Sequence, residues 1–136
     1  TSLDSDGSLE KLLYAEHNGG NLIMNGREVF RKAVMVMVST SNDAMSKAGV
    51  TIDDISLVVP HQANIRIIEA ACKRLHVPMD QVAVCLDHTG NTSSASIPLA
   101  FVEAEAAGRI KPGELVLMTG FGAGMSSASA VLRWGP

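Results

Sequence analysis

The sequence has little to offer chemistry that depends on thiols or metals. Of 136 residues only Cys72 and Cys85 are cysteine; both lie in apolar stretches, outside any CxxC or Cys/His spacing, so neither a disulfide framework nor a zinc site is expected. Such thiols suit a reducing, cytoplasmic setting. Long hydrophobic runs are missing too. The longest, Ala33 to Val38, falls far short of the ~20 residues that cross a bilayer, and the polar start TSLDSDG is no signal peptide, so no membrane association is expected. Charge of one sign is also in short supply. A net charge of −3 argues against a nucleic-acid binder, while leaving room for a local basic patch that meets an acidic partner.

What is present is apolar. With 46% hydrophobic against 18% charged residues, the chain is more apolar than one domain of this length needs, which implies a face covered by something else. Residues 1–136 read as a single α/β unit. Glu28 to Lys47 has a helical rhythm of apolar residues closed by Gly49, and Ile55 to Val59 is a short aliphatic strand stopped by Pro60. A second helix is expected from Gln62 to Leu75 and a second strand over Val82 to Leu86. The third helix, Thr92 to Ala107, begins without charge, as SSASIPLAFV, and such small residues on every side of a helix mean close packing all round it. Leu115 to Thr119 and Ser127 to Trp134 complete the pattern as strands, the last antiparallel. The order predicts a mixed, mainly parallel sheet with packed helices, whose ligand site lies where parallel strands end.

Three polar or glycine-rich tips meet at that edge: PHQAN at 60–64, HTGN at 88–91 and GFGAG at 120–124. His61, at a strand's end beside a helix start, either satisfies the turn or exchanges a proton near neutral pH. Asn91 either caps the helix after it or offers its amide N–H. A neutral histidine and an asparagine together would suit a developing oxyanion. GFGAG has the look of a phosphate loop, but the strand pattern MSSASAVLRW follows where such a loop needs a helix; its glycines are left either as a tight turn or as a backbone that a ligand approaches. Arg66 and Lys73 share one face of the second helix with Arg74 beside them, a face either solvated or made for an acidic protein or a phosphate. Cys72 and Cys85 read as small packed hydrophobes. His17, His76 and His88 lack the setting of His61, although His88 is near Asn91.

The stretches MNGREVFRKAV, VVPHQANIRIIEA, GNTSSASIPLAF, GRIKPGELVLMTGFGAG and AVLRW resemble the carboxyl-terminal half of β-ketoacyl-acyl-carrier-protein synthase III, nearly end to end. The resemblance implies one half of a thiolase-like fold, with the Thr92 helix in its central layer. It also implies the condensation that begins fatty-acid synthesis: an acyl-CoA primer on a cysteine, malonyl-acyl-carrier protein as the second substrate, and no cofactor. By the resemblance His61 and Asn91 are the catalytic pair, Ala123 offers an oxyanion-hole N–H, Asn64 and Gly122 bind substrate, and Arg66 and Lys73 dock acyl-carrier protein.

Two departures qualify it. Ser127-Ala128 stands where the family has Trp-Gly, and the nucleophilic cysteine belongs to an amino-terminal domain of which nothing is seen here. The chain is therefore expected to be truncated, to need that domain as its partner, and to form a homodimer when full length. Two rival readings remain, a polyketide or quinolone-type synthase using CoA substrates and a non-catalytic half that completes a partner subunit.

Overall fold

The computed structural model describes residues 1–17 and 19–135. In chain order they form β1 (Ser2–Ser5), β2 (Leu13–Ala15), β3 (Leu22–Met24), α1 (Gly26–Ala48), β4 (Ile55–Pro60), α2 (Ile65–Leu75), α3 (Leu86–Thr89), α4 (Ser96–Ala106), β5 (Leu115–Gly122) and β6 (Ser126–Arg133). The main sheet runs β1-β6-β5-β4, and β2 with β3 makes a separate antiparallel pair.

Local chemistry sets the helix ends. The Asn25 side chain accepts the N–H of Glu28 at the start of α1, and Gly49 closes it in the left-handed conformation (φ 69°). Between them Val29, Ala33, Met37, Ala44 and Met45 are buried at helical spacing. Asn64 caps α2 by accepting the N–H of Arg66 at 2.9 Å, which is why that helix begins at Ile65 and not at Gln62.

The sheet is the middle of three layers. On β4, Val58 faces α1 and α2, packing with Met45, Ile68, Cys72 and Leu75. Leu57 and Val59 face the other way, onto Ala100 and Ala104 of α4. Alternation of this kind, apolar on both sides, is why the strand reads as an unbroken aliphatic run. The outward side of α4 keeps apolar residues in the open, with Leu99 39% and Val102 59% exposed. These two are part of the surplus of hydrophobic residues in the composition; Leu3 and Leu22, 80% and 68% exposed on β1 and β3, are another part. A quieter feature joins α1 to the sheet: Ser129 donates to Thr119 at 2.8 Å and lies 2.7 Å from the hydroxyl of Thr40, so buried hydroxyls pair with each other.

The fold class is as expected, but three details differ. The sheet is mixed, as expected, but not mainly parallel: β4 and β5 run parallel, while β6 is antiparallel to both β5 and β1. Val82 to Leu86 is not a strand. Only Val82 bridges to Val58, because the side chain of Gln62 takes the backbone groups a ladder would use, donating to the carbonyl of Ala83 at 3.1 Å and accepting the N–H of Cys85 at 3.1 Å. The chain then turns into α3. Finally, the Thr92 helix starts with a tight turn over Ser93–Ala95, and its α-helical part begins at Ser96. The membrane expectation meets one direct observation: among the described residues no helix is long and apolar enough to cross a bilayer.

Candidate functional site

Because β4 and β5 are parallel, their carboxyl ends open on one edge, and a cleft of about 600 Å³ lies there. His61, Asn64, Asn91 and Gly122 line it together, although they come from three separate tips of the chain. Its apolar wall includes Leu13, Met24, Phe30, Ile67 and Ile97.

His61 is held from three sides. Its backbone N–H donates to the carbonyl of Thr119 at 2.8 Å, which extends the β4–β5 pairing by one residue and fixes the Cα. The ring meets Phe121 edge to face, with centroids 5.7 Å apart and planes at 67°. Its Nδ1 lies 2.6 Å from the hydroxyl of Ser96 at the start of α4. Partial burial disfavours the charged ring and moves its pKa below the ordinary 6.5, so His61 is neutral at pH 7. A neutral imidazole there is a hydrogen-bond donor without a net charge.

Asn91 follows Gly90, whose backbone (φ 68°) is one that side chains resist. Its Oδ1 accepts the N–H of Ser93 at 3.1 Å. The two roles considered for Asn91 are compatible, since the oxygen caps the turn while the amide N–H groups are left for other acceptors. Gly122 ends β5 on the cleft, and Ala123, the next residue, is exposed and not part of the cleft lining. Asn64 both caps α2 and lines the cleft. Arg66 and Lys73 lie exposed on α2, outside the lining.

Sequence reasoning missed the residues behind the pair. Gln62 is fully buried and also donates to the carbonyl of Pro60 at 2.7 Å, tying the PHQ turn to the segment below it. Ser96 is fully buried as well, and besides facing His61 it accepts the N–H of Gln62 at 3.2 Å. A signal for Gln62 was there, a lone amide after an aliphatic run. Ser96 gave none, being one small residue among several. Burial pushes the thiol of Cys72 up to about 11, so it is inert packing at neutral pH. Among the described residues no group of three or more His, Cys, Asp or Glu is placed to hold a metal ion.

Comparisons with known proteins point in one direction. Residues 45–134 match the family model described as 3-oxoacyl-[acyl-carrier-protein (ACP)] synthase III C terminal. The beta-ketoacyl-[acyl-carrier-protein] synthase III of Roseiflexus castenholzii is 48% identical over 97% of this chain, and the matched part is 44% of that protein. The solved synthase III of Thermus thermophilus superposes with a TM-score of 0.94 at 51% identity, over 98% of this chain and 45% of that one. The priming beta-ketosynthase of the R1128 polyketide pathway superposes with a TM-score of 0.88 at 38% identity, over 96% of this chain and 43% of its own. The chain thus spans less than half the length of the relatives it matches.

Proposed function

Because the chain belongs to the 3-oxoacyl-acyl-carrier-protein synthase III family, as its carboxyl-terminal domain, we propose that it supplies the decarboxylation half of the condensation that starts fatty-acid synthesis. The observation that carries this reading is the joint placement of His61 and Asn91 on one cleft.

In this reading the malonyl thioester of the acyl-carrier protein enters the cleft. Its bond to the carboxylate breaks, carbon dioxide leaves, and the electron pair moves onto the thioester oxygen as an enolate. An imidazole N–H of His61 and an amide N–H of Asn91 donate to that oxygen, and they stabilise it because they are already in place before the charge appears. The enolate carbon then attacks the acyl group on a cysteine of the amino-terminal domain. The tetrahedral oxyanion formed accepts from the backbone N–H of Ala123, and its collapse expels the thiolate. Asn64 and Gly122 position the substrate. Arg66 and Lys73 dock the acidic carrier protein, and Leu99 and Val102 of α4 are covered by the amino-terminal domain. The full enzyme is a cytoplasmic homodimer that takes an acyl-CoA primer and uses no cofactor.

The test joins this chain to the amino-terminal domain of a relative and measures the two half-reactions separately. His61→Ala is expected to lower malonyl decarboxylation by about 10²–10³-fold, the usual cost of one oxyanion donor, and to spare acylation of the cysteine. Equal loss of both steps would sink the assignment.

A second reading has a specific observation in its favour, the 38% identity to the R1128 priming ketosynthase over nearly the whole chain. It makes the chain part of a polyketide starter enzyme. Priming by a range of acyl-CoA esters separates the two, since a starter synthase prefers a primer that a fatty-acid enzyme does not.

A further inference from the structure

His61 and Ser96 meet at a distance, 2.6 Å between Nδ1 and Oγ, that leaves no doubt of a hydrogen bond but does not by itself say which atom donates. Counting protons decides it. The Ser96 hydroxyl has one proton to give, and among the described residues its oxygen has two hydrogen-bond partners, His61 Nδ1 and the backbone N–H of Gln62 at 3.2 Å. Gln62 N–H can only donate, so it occupies one lone pair of the oxygen. If Nδ1 of His61 also donated, the oxygen would accept twice and the hydroxyl proton would have no acceptor. Ser96 is fully buried, so water does not replace that acceptor, and an unsatisfied buried donor costs more than an ordinary hydrogen bond returns. With the roles reversed every group is satisfied.

We propose that Ser96 is a positioning residue: its hydroxyl donates to Nδ1 of His61 and thereby keeps the imidazole proton on Nε2, the nitrogen left to serve the cleft. Ser96 touches no reacting atom and acts through His61. The register is itself held, because Gln62 is anchored by its side chain to Pro60, Ala83 and Cys85, so the N–H that claims the serine oxygen has no freedom to turn away. One buried glutamine and one buried serine thus give a histidine a defined donor atom, as the partner of a ring nitrogen determines what the other nitrogen does.

The inference rests on the proposed role of His61 in its kinetic part only. Long-range proton–nitrogen NMR spectra of this chain with ¹⁵N-histidine read the tautomer directly, the His61 signals being those lost in His61→Gln. The expected result is a proton on Nε2 with Nδ1 as acceptor; a dominant Nδ1–H form overturns the proposal. Ser96→Ala is expected to yield a mixture of tautomers, and Ser96→Thr, which keeps the hydroxyl, to restore the single form. Joined to a relative's amino-terminal domain, Ser96→Ala is expected to lose about 10-fold in the decarboxylation kcat, a cost of the order of one hydrogen bond, with KM unchanged. An unaltered tautomer in Ser96→Ala counts against the proposal even if the rate falls. Should His61→Ala leave decarboxylation intact, the proposed function fails while the tautomer result still stands or falls alone.

Discussion

Gly120 lies directly against His61: a Cβ built on the glycine would sit 3.3 Å from the Cβ of His61 and 3.4 Å from Cδ1 of Ile97. The backbone of β5 therefore approaches the catalytic candidate closely enough that a side chain at this position would press on His61 or Ile97. Gly120→Ala has room only if His61 or Ile97 gives way by a few tenths of an ångström. The expected outcome is decarboxylation slowed by roughly 10-fold, since misplacement by a full ångström costs about 10²-fold, with thermal unfolding little altered. Full activity in the variant would show that the glycine is mere economy of space.

Gln62 is a stability element as much as a site element. Gln62→Leu keeps the volume but strands the carbonyl of Ala83 and the N–H of Cys85, both in the buried layer. The expected loss is about 2–5 kcal/mol in urea unfolding. A loss below about 0.5 kcal/mol would mean that the backbone around Ala83 finds other partners, as a genuine strand would.

Two histidines should titrate on opposite sides of 6.5. His61 is pushed down by burial, and its folded pKa lies below that of the unfolded chain. Stability linked to it is present above 6.5 and is lost as pH falls towards the folded value, because the unfolded chain takes up the proton first. His88 is the reverse. Its hydrogen bonds to Glu103 and then to Asp87, at 3.0 and 2.9 Å, raise its pKa, so its contribution is present below 6.5 and is lost as pH rises through the folded value. An NMR titration is expected to place His88 above His61, and Glu103→Gln to lower the first without moving the second. The opposite order would contradict both assignments.

The exposed side of α4 gives a prediction about assembly. Val102→Lys changes a residue that is 59% exposed, so unfolding of this chain is expected to shift by no more than about 0.5 kcal/mol. Binding to the amino-terminal domain of a relative should nonetheless weaken sharply, as measured by calorimetry, because the charge would be buried there. Unchanged binding would place that domain elsewhere on the surface.

In the proposed reading, carrier-protein docking is separable from chemistry. Arg66 is exposed and outside the cleft, so Arg66→Glu is expected to raise KM for malonyl-acyl-carrier protein at low salt and to leave the decarboxylation kcat near that of the parent. Indifference of KM to the change would favour a substrate bound to CoA alone.

How much of this was legible beforehand differs from residue to residue. The α1 helix, the aliphatic β4 and the closing antiparallel pair follow from periodicity and end signals, because burial of one stripe or two faces leaves its mark at every turn. His61 and Gly122 stand at the ends of β4 and β5 for the same reason, whereas Asn91 follows the short helix α3 and not a strand. Val82 to Leu86 departs from the strand its residues predict, because the side chain of Gln62, far away in sequence, claims its backbone groups. The short parallel part of the sheet was likewise hidden, since pairing direction depends on which strands become neighbours.

The elements and the chemical kinds of residue at their ends follow from propensity, capping and hydrophobic pattern, because these are local. That those ends meet at one edge is expected from the order of the elements; that Gly120 yields its place to His61 and that Ser96 stands behind the imidazole is visible only once the elements are packed. These are matters of distance between segments far apart in the chain. Hydrogen-bond partners in a buried layer are chosen by which groups the packed elements bring within about 3 Å of one another.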